Sequence, residues 1–98
     1  GQTGPLRDNP AYDQIVQGLS GVMSITGTPE AAPLRVGFPA CDTLGGLFGA
    51  FAIAAALVRR ARTGEGAVLD VSMLESTLSA LGWPVSNFLT ADVEPRPM

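Results

Sequence analysis

Helical periodicity first appears at residues 10–20, where apolar side chains recur three and four positions apart. The residues that would form this apolar face are Tyr12, Ile15, Val16 and Leu19. Asn9 is a suitable N-cap, and Pro10 suits the first helical position because its missing N–H needs no partner there. The pattern therefore predicts a helix over residues 10–20 that ends at Gly21.

The longest apolar run, residues 44–58, contains no charged side chain and has to be weighed as a membrane span. It is shorter than the roughly 20 residues that a span needs, so it predicts a buried core helix instead. Asp42 or Thr43 can cap the start of this helix, and Gly64 is suited to end it. We expect a long helix over residues 43–62 and no membrane as a partner.

A second pattern follows the long helix. Residues 67–72 alternate between apolar and polar side chains, which predicts a strand. Ser72 and Glu75 then match a capping box, which predicts a helix over residues 73–83. Between the first two helices, glycine and proline favour a loop with at most a short strand at residues 34–36. These elements predict an α/β fold that is helix-rich, with one or two strands.

Composition excludes several chemistries. The chain has 98 residues, a formal net charge of −3, no histidine and no lysine. Neither a histidine-dependent triad nor a P-loop lysine can be built from it. A single cysteine, Cys41, allows neither a disulfide nor a thiolate zinc cluster, so we expect no metal and a reducing, cytoplasmic setting. The acidic balance argues against nucleic acid as a partner, because nucleic-acid binding needs a basic patch.

Asp42 is the sharpest chemical candidate among the side chains. It lies at the predicted start of the long helix, where the positive end of the helix dipole favours an anionic nucleophile. Local sequence alone favours a simpler role as an N-cap. Cys41 is either an activated thiol or a packed core residue, and Tyr12 either contacts a ligand through its hydroxyl or packs on its helix. The residues by themselves leave these alternatives open.

Short motifs occur along nearly the whole chain in a particular order. They include Gly1-Gln2-Thr3-Gly4-Pro5, Tyr12-Asp13, Gly21-Val22-Met23, Cys41-Asp42, Arg62-Thr63-Gly64-Glu65-Gly66 and Asp70-Val71-Ser72-Met73. Their order and intervals resemble the family III CoA-transferases of the CaiB/BaiF type, which include formyl-CoA transferase and the α-methylacyl-CoA racemases. The resemblance implies that residues 1–98 are a central part of a Rossmann-like large domain, with no internal domain boundary.

The resemblance also implies a reaction. The family's transferases use an aspartate nucleophile, and the matching position here is Asp42. Its carboxylate would attack an acyl-CoA thioester to form an aspartyl mixed anhydride, and CoA would pass through an aspartyl thioester to an acceptor carboxylic acid. Coenzyme A is then a substrate, and the subunits are expected to form interlocked homodimers. The CoA contacts of the family fall on Asn9, Pro10, Ala11, Tyr12 and Met73.

Two alternatives accompany this expectation. The racemases of the family carry a histidine at the position of Tyr12, so its absence disfavours racemisation by a His/Asp pair and favours transfer. The family's chains are several times longer, so a partial chain of this kind is expected to be inactive alone. A non-catalytic, self-associating fragment is therefore the second alternative.

Overall fold

The computed structural model describes residues 1–98 and contains four α-helices, one short 3-10 helix and no strand. The α-helices are α1 (Asp13–Ser20), α2 (Ala40–Thr63), α3 (Met73–Leu81) and α4 (Trp83–Ala91), and the 3-10 helix is Val22–Ile25. The expected helix-rich content is confirmed. The number and the bounds of the elements differ from the prediction in several places.

The predicted strand at residues 67–72 is wrong for this chain. Residues 67–72 form no helix and pair with no strand. A strand needs a neighbour that accepts and donates its backbone hydrogen bonds, and no such neighbour is present within residues 1–98. Asp70 instead accepts a hydrogen bond from the backbone N–H of Gln2 at 2.7 Å. The short strand considered at residues 34–36 is absent as well, so the chain does not show an α/β sheet.

Helix α1 begins at Asp13 rather than at residue 10. Tyr12 occupies the N-cap position in an extended conformation, with φ −120° and ψ 160°, so the helix cannot run further back through it. Asn9 is therefore not the cap, and its N–H closes a turn by donating to the carbonyl of Leu6 at 3.0 Å. The predicted end at Gly21 is confirmed by its left-handed conformation, with φ 84°.

The buried face of α1 is mainly polar. Its buried side chains are Asp13, Val16, Gln17 and Ser20. The residues expected to form an apolar core face are mostly exposed, as Ile15 and Leu19 show. Buried polar groups require hydrogen-bond partners, so this face of α1 is suited to form hydrogen bonds with neighbouring backbone groups rather than to pack in a hydrophobic core.

Helix α2 buries little of its surface within this chain. Only Ala40 and Cys41 are buried, so the predicted buried core helix is wrong for these residues. Its half-buried positions include a row of small residues: Gly45, Gly49, Ala52 and Ala56. Its large apolar side chains point away, and Phe51 is 75% exposed. Helix α2 therefore packs through its small residues and leaves an apolar face uncovered.

Among the glycines of α2, only Gly45, the first glycine of a GxxxG pattern with Gly49, has a neighbouring segment within reach of an added Cβ atom. A Cβ atom at position 45 would lie 3.6 Å from Cγ and 3.8 Å from Cα of Met73, whereas at Gly49 it would meet nothing within 4 Å. A Cβ atom at position 45 would thus be in ordinary van der Waals contact with Met73, so only the first glycine of the pattern faces a neighbouring segment. As a result, the start of α3 lies against the first turns of α2.

By length and composition, α2 is able to cross a membrane. It has 24 residues, and an 18-residue window has a mean hydropathy of 1.8 with 6% of that window buried. The helix extends past both ends of the uncharged run at residues 44–58. Core helices of soluble proteins meet the same length and composition criteria, so this property is weak evidence for a membrane.

The predicted helix over residues 73–83 is α3, which ends two residues earlier at Leu81, and the helix that follows it, α4, was not predicted. Gly82, with φ 59° and ψ −118°, separates α3 from α4, and Pro84 lies in the first turn of α4, where its missing N–H costs nothing. At the start of α3, the hydroxyl of Ser72 accepts a hydrogen bond from the N–H of Glu75 at 3.3 Å. The predicted N-cap of this helix is confirmed.

The helices form an open, elongated arrangement. Nine of 98 residues are buried, and the extents are 54 × 29 × 26 Å. The radius of gyration is 15.9 Å, compared with about 13 Å for a compact domain of 100 residues. Most of the apolar surface of this chain is therefore available for contacts beyond residues 1–98.

Candidate functional site

The first turn of α2 starts from a proline. Pro39 is the N-cap and has no N–H, and the N–H of Ala40 donates to the carbonyl of Phe38 at 2.8 Å. With φ −74° and ψ 70°, Pro39 closes a tight three-residue turn. The first N–H groups of a helix lack intrahelical partners, so those of Cys41 and Asp42 still need an acceptor.

Asp13, at the start of α1, supplies that acceptor. Its Oδ1 accepts from the N–H of Cys41 at 2.8 Å and from the N–H of Asp42 at 3.2 Å, while its Oδ2 accepts from Nε2 of Gln17 at 2.7 Å. A carboxylate at the N-terminus of a helix is stabilised by the N–H groups and by the helix dipole. Asp13 thus caps α2 from a neighbouring helix, and the predicted cap by Asp42 or Thr43 is wrong.

Gln17 extends this network to the loop before α2. Its side chain is fully buried, and Oε1 accepts from the N–H of Val36 at 2.9 Å. Its Nε2 donates to Asp13 and, at 3.3 Å, to the carbonyl of Phe38. Sequence reasoning assigned no role to Asp13 or Gln17. The available signal was a pair of polar side chains four residues apart, which share one helix face.

Asp42 is exposed at the start of α2. Its backbone N–H donates a hydrogen bond to Asp13 of α1. Within residues 1–98 its carboxylate accepts no hydrogen bond. An aspartate at the third helical position would ordinarily reach back to the N–H of the N-cap, but Pro39 has none. The Asp42 carboxylate is therefore unpaired in this structure and free to meet a ligand.

Cys41, beside Asp42, has the opposite environment. Its side chain is fully buried, near Thr77 of α3. Burial raises the pKa of the Cys41 thiol, and the charges of Asp13 and Asp42 raise it further, against the effect of Thr77. A reactive thiolate needs a lowered pKa, so the interpretation of Cys41 as a packed residue is favoured over an activated thiol.

A cavity of about 550 Å³ lies between the loop before α1 and the start of α3. Four of the residues that the family resemblance assigns to CoA line it: Asn9, Pro10, Ala11 and Met73. Tyr12 is not among the lining residues and is 70% exposed. The structure therefore brings four of these positions together around one cavity and leaves Tyr12, the next residue along the chain, outside the lining.

Two features of this cavity were missed by sequence reasoning. The apolar residues of α1 that do not enter a core, Ile15 and Leu19, line it instead. Arg7 is the basic side chain of the lining, and it also forms an exposed ion pair with Asp8 at 3.5 Å. The cavity thus combines an apolar wall with one basic side chain, Arg7, and one acidic side chain, Glu75.

Asp42 does not line the cavity, but the start of α2 is joined to both of its walls. The Asp42 N–H bonds to Asp13, two residues after the lining residue Ala11. One turn further along α2, Gly45 packs against the lining residue Met73. The first turns of α1, α2 and α3 therefore meet at this point, and Asp42 lies on the first turn of α2.

Comparisons with known proteins bear on this arrangement. The model of CoA-transferase family III matches residues 1–98. The acetyl-CoA:oxalate CoA-transferase of Acetobacter aceti is 54% identical over 82 residues, which are 83% of this chain and 21% of that protein. The succinate–glutarate CoA-transferase of Agrobacterium fabrum is 41% identical over 95 residues, which are 97% of this chain and 24% of that protein.

The fold comparison agrees with the sequence comparison. The crystal structure of a CAIB/BAIF family protein from Brucella suis matches with a TM-score of 0.95 and 35% sequence identity, over 100% of this chain and 26% of that protein. The chain thus spans between 21% and 26% of the length of these relatives. Because the family model matches every residue and the fold agrees, this chain belongs to CoA-transferase family III.

Proposed function

We propose that residues 1–98 carry the nucleophile of an enzyme that moves CoA between an acyl-CoA thioester and a carboxylic acid, and that Asp42 is this nucleophile. The observation that carries the proposal is the unpaired carboxylate at the start of α2, left free because Pro39 offers no N–H and the N–H groups of Cys41 and Asp42 are held by Asp13. The transferase activities named for the relatives support the same reaction.

The proposed reaction proceeds through covalent intermediates on Asp42. Its carboxylate attacks the thioester carbonyl and expels CoA thiolate, which gives a mixed anhydride. The thiolate attacks the aspartyl carbonyl, releasing the donor acid and leaving an aspartyl-CoA thioester. The acceptor carboxylate attacks that thioester to form a second mixed anhydride and thiolate. Attack of the thiolate on the acceptor carbonyl then releases the new acyl-CoA and regenerates the Asp42 carboxylate.

The cavity between the loop before α1 and the start of α3 is the proposed site for part of the CoA molecule. Its lining by Asn9, Pro10, Ala11 and Met73 matches the positions that the family resemblance assigns to CoA. Arg7 would place a positive charge near a phosphate group, which suits an anionic ligand. Tyr12 stands where racemases of the family have histidine, which supports transfer over racemisation.

We further propose that residues 1–98 are a contiguous part of a larger catalytic domain with the other CoA contacts outside them. The short share of each relative that the chain matches supports this, as does the uncovered face of α2. Catalysis needs groups that hold and polarise the thioester in addition to the nucleophile. Residues 1–98 alone are accordingly proposed to be inactive.

Trapping with hydroxylamine tests the role of Asp42. The intact protein that contains these residues is incubated with acetyl-CoA and oxalate, the pair named for one relative, or with other acyl-CoA and acid pairs, in the presence of hydroxylamine. An activated aspartyl carbonyl should be converted to a hydroxamate, which adds one NH to the peptide that contains Asp42 and is detected by peptide mass spectrometry.

Two controls make the trapping specific. Omitting the acyl-CoA should leave Asp42 unmodified, because a free carboxylate does not react with hydroxylamine. The buried Asp13 carboxylate should stay unmodified under all conditions, since its oxygens are held by three hydrogen bonds. Turnover of an acyl-CoA with a hydroxamate on a different carboxylate would show that Asp42 is not the nucleophile.

The uncovered face of α2 favours a second property, self-association of this chain when it is produced alone. Leu47 is 62% exposed and Phe51 is 75% exposed. Large exposed apolar patches drive association between copies. We expect the isolated chain to be larger than a monomer by light scattering, and the double variant Leu47→Glu/Phe51→Glu to shift it towards the monomer.

The matched control is the substitution of an exposed apolar residue by glutamate outside α2. Val68 is fully exposed in the segment after α2, so Val68→Glu should leave the association unchanged. If the unmodified chain is a monomer by light scattering and is helical by circular dichroism, self-association is contradicted. That result would leave the proposed role of Asp42 in the intact protein unaffected.

A further inference from the structure

We infer that Asp13 and Gln17 are positioning residues, which hold the first turn of α2 so that the Asp42 carboxylate stays unpaired and aimed at the thioester. The inference rests on the proposed function of Asp42 and goes beyond it by naming how this chain prepares the nucleophile. Neither residue would touch the substrate, and both would act through the backbone on which Asp42 is carried.

The hydrogen bonds fix that backbone from two directions. Asp13 holds the N–H groups of Cys41 and Asp42 at 2.8 and 3.2 Å, on the helical side of the turn. Gln17 holds the N–H of Val36 at 2.9 Å and the carbonyl of Phe38 at 3.3 Å, on the side of the incoming loop. The two side chains bond to each other at 2.7 Å, so loop and helix are set by one rigid pair.

Burial makes this pair sensitive to small changes. Gln17 is fully buried and Asp13 is 7% exposed, so water cannot readily replace a lost partner. A buried acceptor or donor that loses its partner bears the full cost of desolvation. Loss of one hydrogen bond of the network should therefore shift the backbone, because water cannot enter to replace the lost partner.

The arrangement differs from an ordinary helix cap in a way that matters for Asp42. A Ser, Thr or Asp at the N-cap would provide a backbone N–H that the third helical residue can bind through its own carboxylate. Capping by a residue of another helix, together with a proline at position 39, stabilises the same helix end and leaves Asp42 without that partner. The network therefore performs a task that a local cap cannot.

Gln17→Glu is the decisive variant, measured in the intact protein. A carboxylate at position 17 still accepts from the N–H of Val36 but cannot donate to Asp13 or to the carbonyl of Phe38. Misplacement of a reacting group by about 1 Å can lower a rate about 100-fold, so we expect kcat to fall by roughly that factor. KM for the acyl-CoA should change less than roughly threefold, because the cavity lining is untouched.

A pH profile separates positioning from general destabilisation. The titratable groups around position 17 are Asp13 on the same helix and Cys41 and Asp42 at the start of α2. Protonation of the carboxylate introduced at position 17 would restore a donor to the network, so the ratio of variant to wild-type kcat should rise as the pH falls. A variant that is only less stable would lose activity at low pH or keep a constant ratio.

The control is the same substitution on the exposed side of α1. Gln14 is exposed and contributes no side-chain hydrogen bond, so Gln14→Glu should keep wild-type kcat and a constant ratio across pH. If Gln17→Glu does not fold, Asp13→Asn serves in its place. It retains one acceptor oxygen for the N–H groups of α2 but offers an NH₂ group towards Gln17, and kcat is again expected to fall.

Alkylation of Cys41 gives a readout that does not depend on turnover. The thiol is fully buried behind the first turn of α2, so wild type should react slowly with iodoacetamide, as followed by peptide mapping. Loosening that turn in Gln17→Glu should speed the reaction at least roughly tenfold, by opening the local structure. Gln14→Glu should react at the wild-type rate.

The outcomes separate this inference from the proposed function. Wild-type kcat, pH profile and Cys41 reactivity in Gln17→Glu and Asp13→Asn would overturn the positioning role while leaving Asp42 as the nucleophile. Full transfer activity in a variant without the Asp42 carboxylate would overturn the proposed function and the positioning role together. A positioning role predicts three results for Gln17→Glu: a reduced kcat, a ratio of variant to wild-type kcat that rises as the pH falls, and faster alkylation of Cys41.

Discussion

Replacing Asp42 with alanine is expected to abolish CoA transfer by the intact protein, with kcat falling at least about 1,000-fold, as loss of a covalent nucleophile does in other enzymes. The methyl group that remains cannot attack a thioester, and no hydroxamate should then form. The measurement is the rate of appearance of the new acyl-CoA by chromatography, with substrate concentrations above KM.

The structure allows this loss to be separated from a loss of folding. The Asp42 carboxylate is exposed and makes no hydrogen bond within the chain. Its removal forfeits only a favourable interaction with the helix dipole, at most about 1 kcal/mol, so thermal unfolding should change little. Asp42→Glu keeps the charge but displaces it by one methylene and should also be severely impaired. More than a tenth of the wild-type kcat in the alanine variant would contradict the nucleophile assignment.

Gly45→Leu is expected to weaken acyl-CoA binding and the fold together. Position 45 faces Met73, where a Cβ atom alone would already be in van der Waals contact at 3.6 Å, so the three further carbons of leucine are expected to displace the Met73 side chain. Overpacking of this kind costs about 1–3 kcal/mol and moves neighbouring backbone. Because Met73 lines the cavity, α3 should shift, KM for the acyl-CoA should rise at least roughly tenfold, and the unfolding midpoint should fall.

The neighbouring glycine provides the matched control. A Cβ atom at Gly46 would meet nothing within 4 Å, so Gly46→Leu adds the same side chain without the clash. Leucine is a better helix former than glycine by roughly 1 kcal/mol, which favours equal or higher stability. Equal losses of acyl-CoA binding in both variants would show that the contact between Gly45 and Met73 is not what shapes the cavity.

The sequence pattern correctly predicted the features that are determined by residues close together in the chain. Helical spacing predicted three segments that are helical, and the glycines at positions 21 and 64 end α1 and α2 as expected. Ser72 caps α3 through an N–H three residues away, which a sequence motif can encode. These features are set by contacts within one or two turns, so they are visible in a single sequence.

Pattern failed where partners are distant or lie outside the described chain. The cap of α2 comes from Asp13, 29 residues before Asp42, and no rule for consecutive residues can detect it. The alternation at residues 67–72 predicted a strand, but a strand requires a second one beside it. The apolar run of α2 predicted burial, whereas residues 1–98 cover only one side of that helix.

The candidate site was only partly visible in the sequence for the same reason. Asp42 is visible in the sequence as a helix-start carboxylate, but local sequence favours a cap at this position, and only the family resemblance implies a nucleophile. Four of the CoA positions implied by the resemblance share one cavity, while Arg7 and the apolar residues of α1 were not expected there. Their roles depend on how α1 and α3 face each other, which periodicity does not specify.

The proline at the start of α2 points to a compromise between stability and activity. A residue such as serine at position 39 would offer the Asp42 carboxylate a backbone N–H and so favour this helix end further. Enzymes commonly forgo such gains at sites where a more stable local structure would impair function. Pro39 is therefore a position at which stability engineering guided by helix rules alone is expected to trap the carboxylate that the proposed reaction requires.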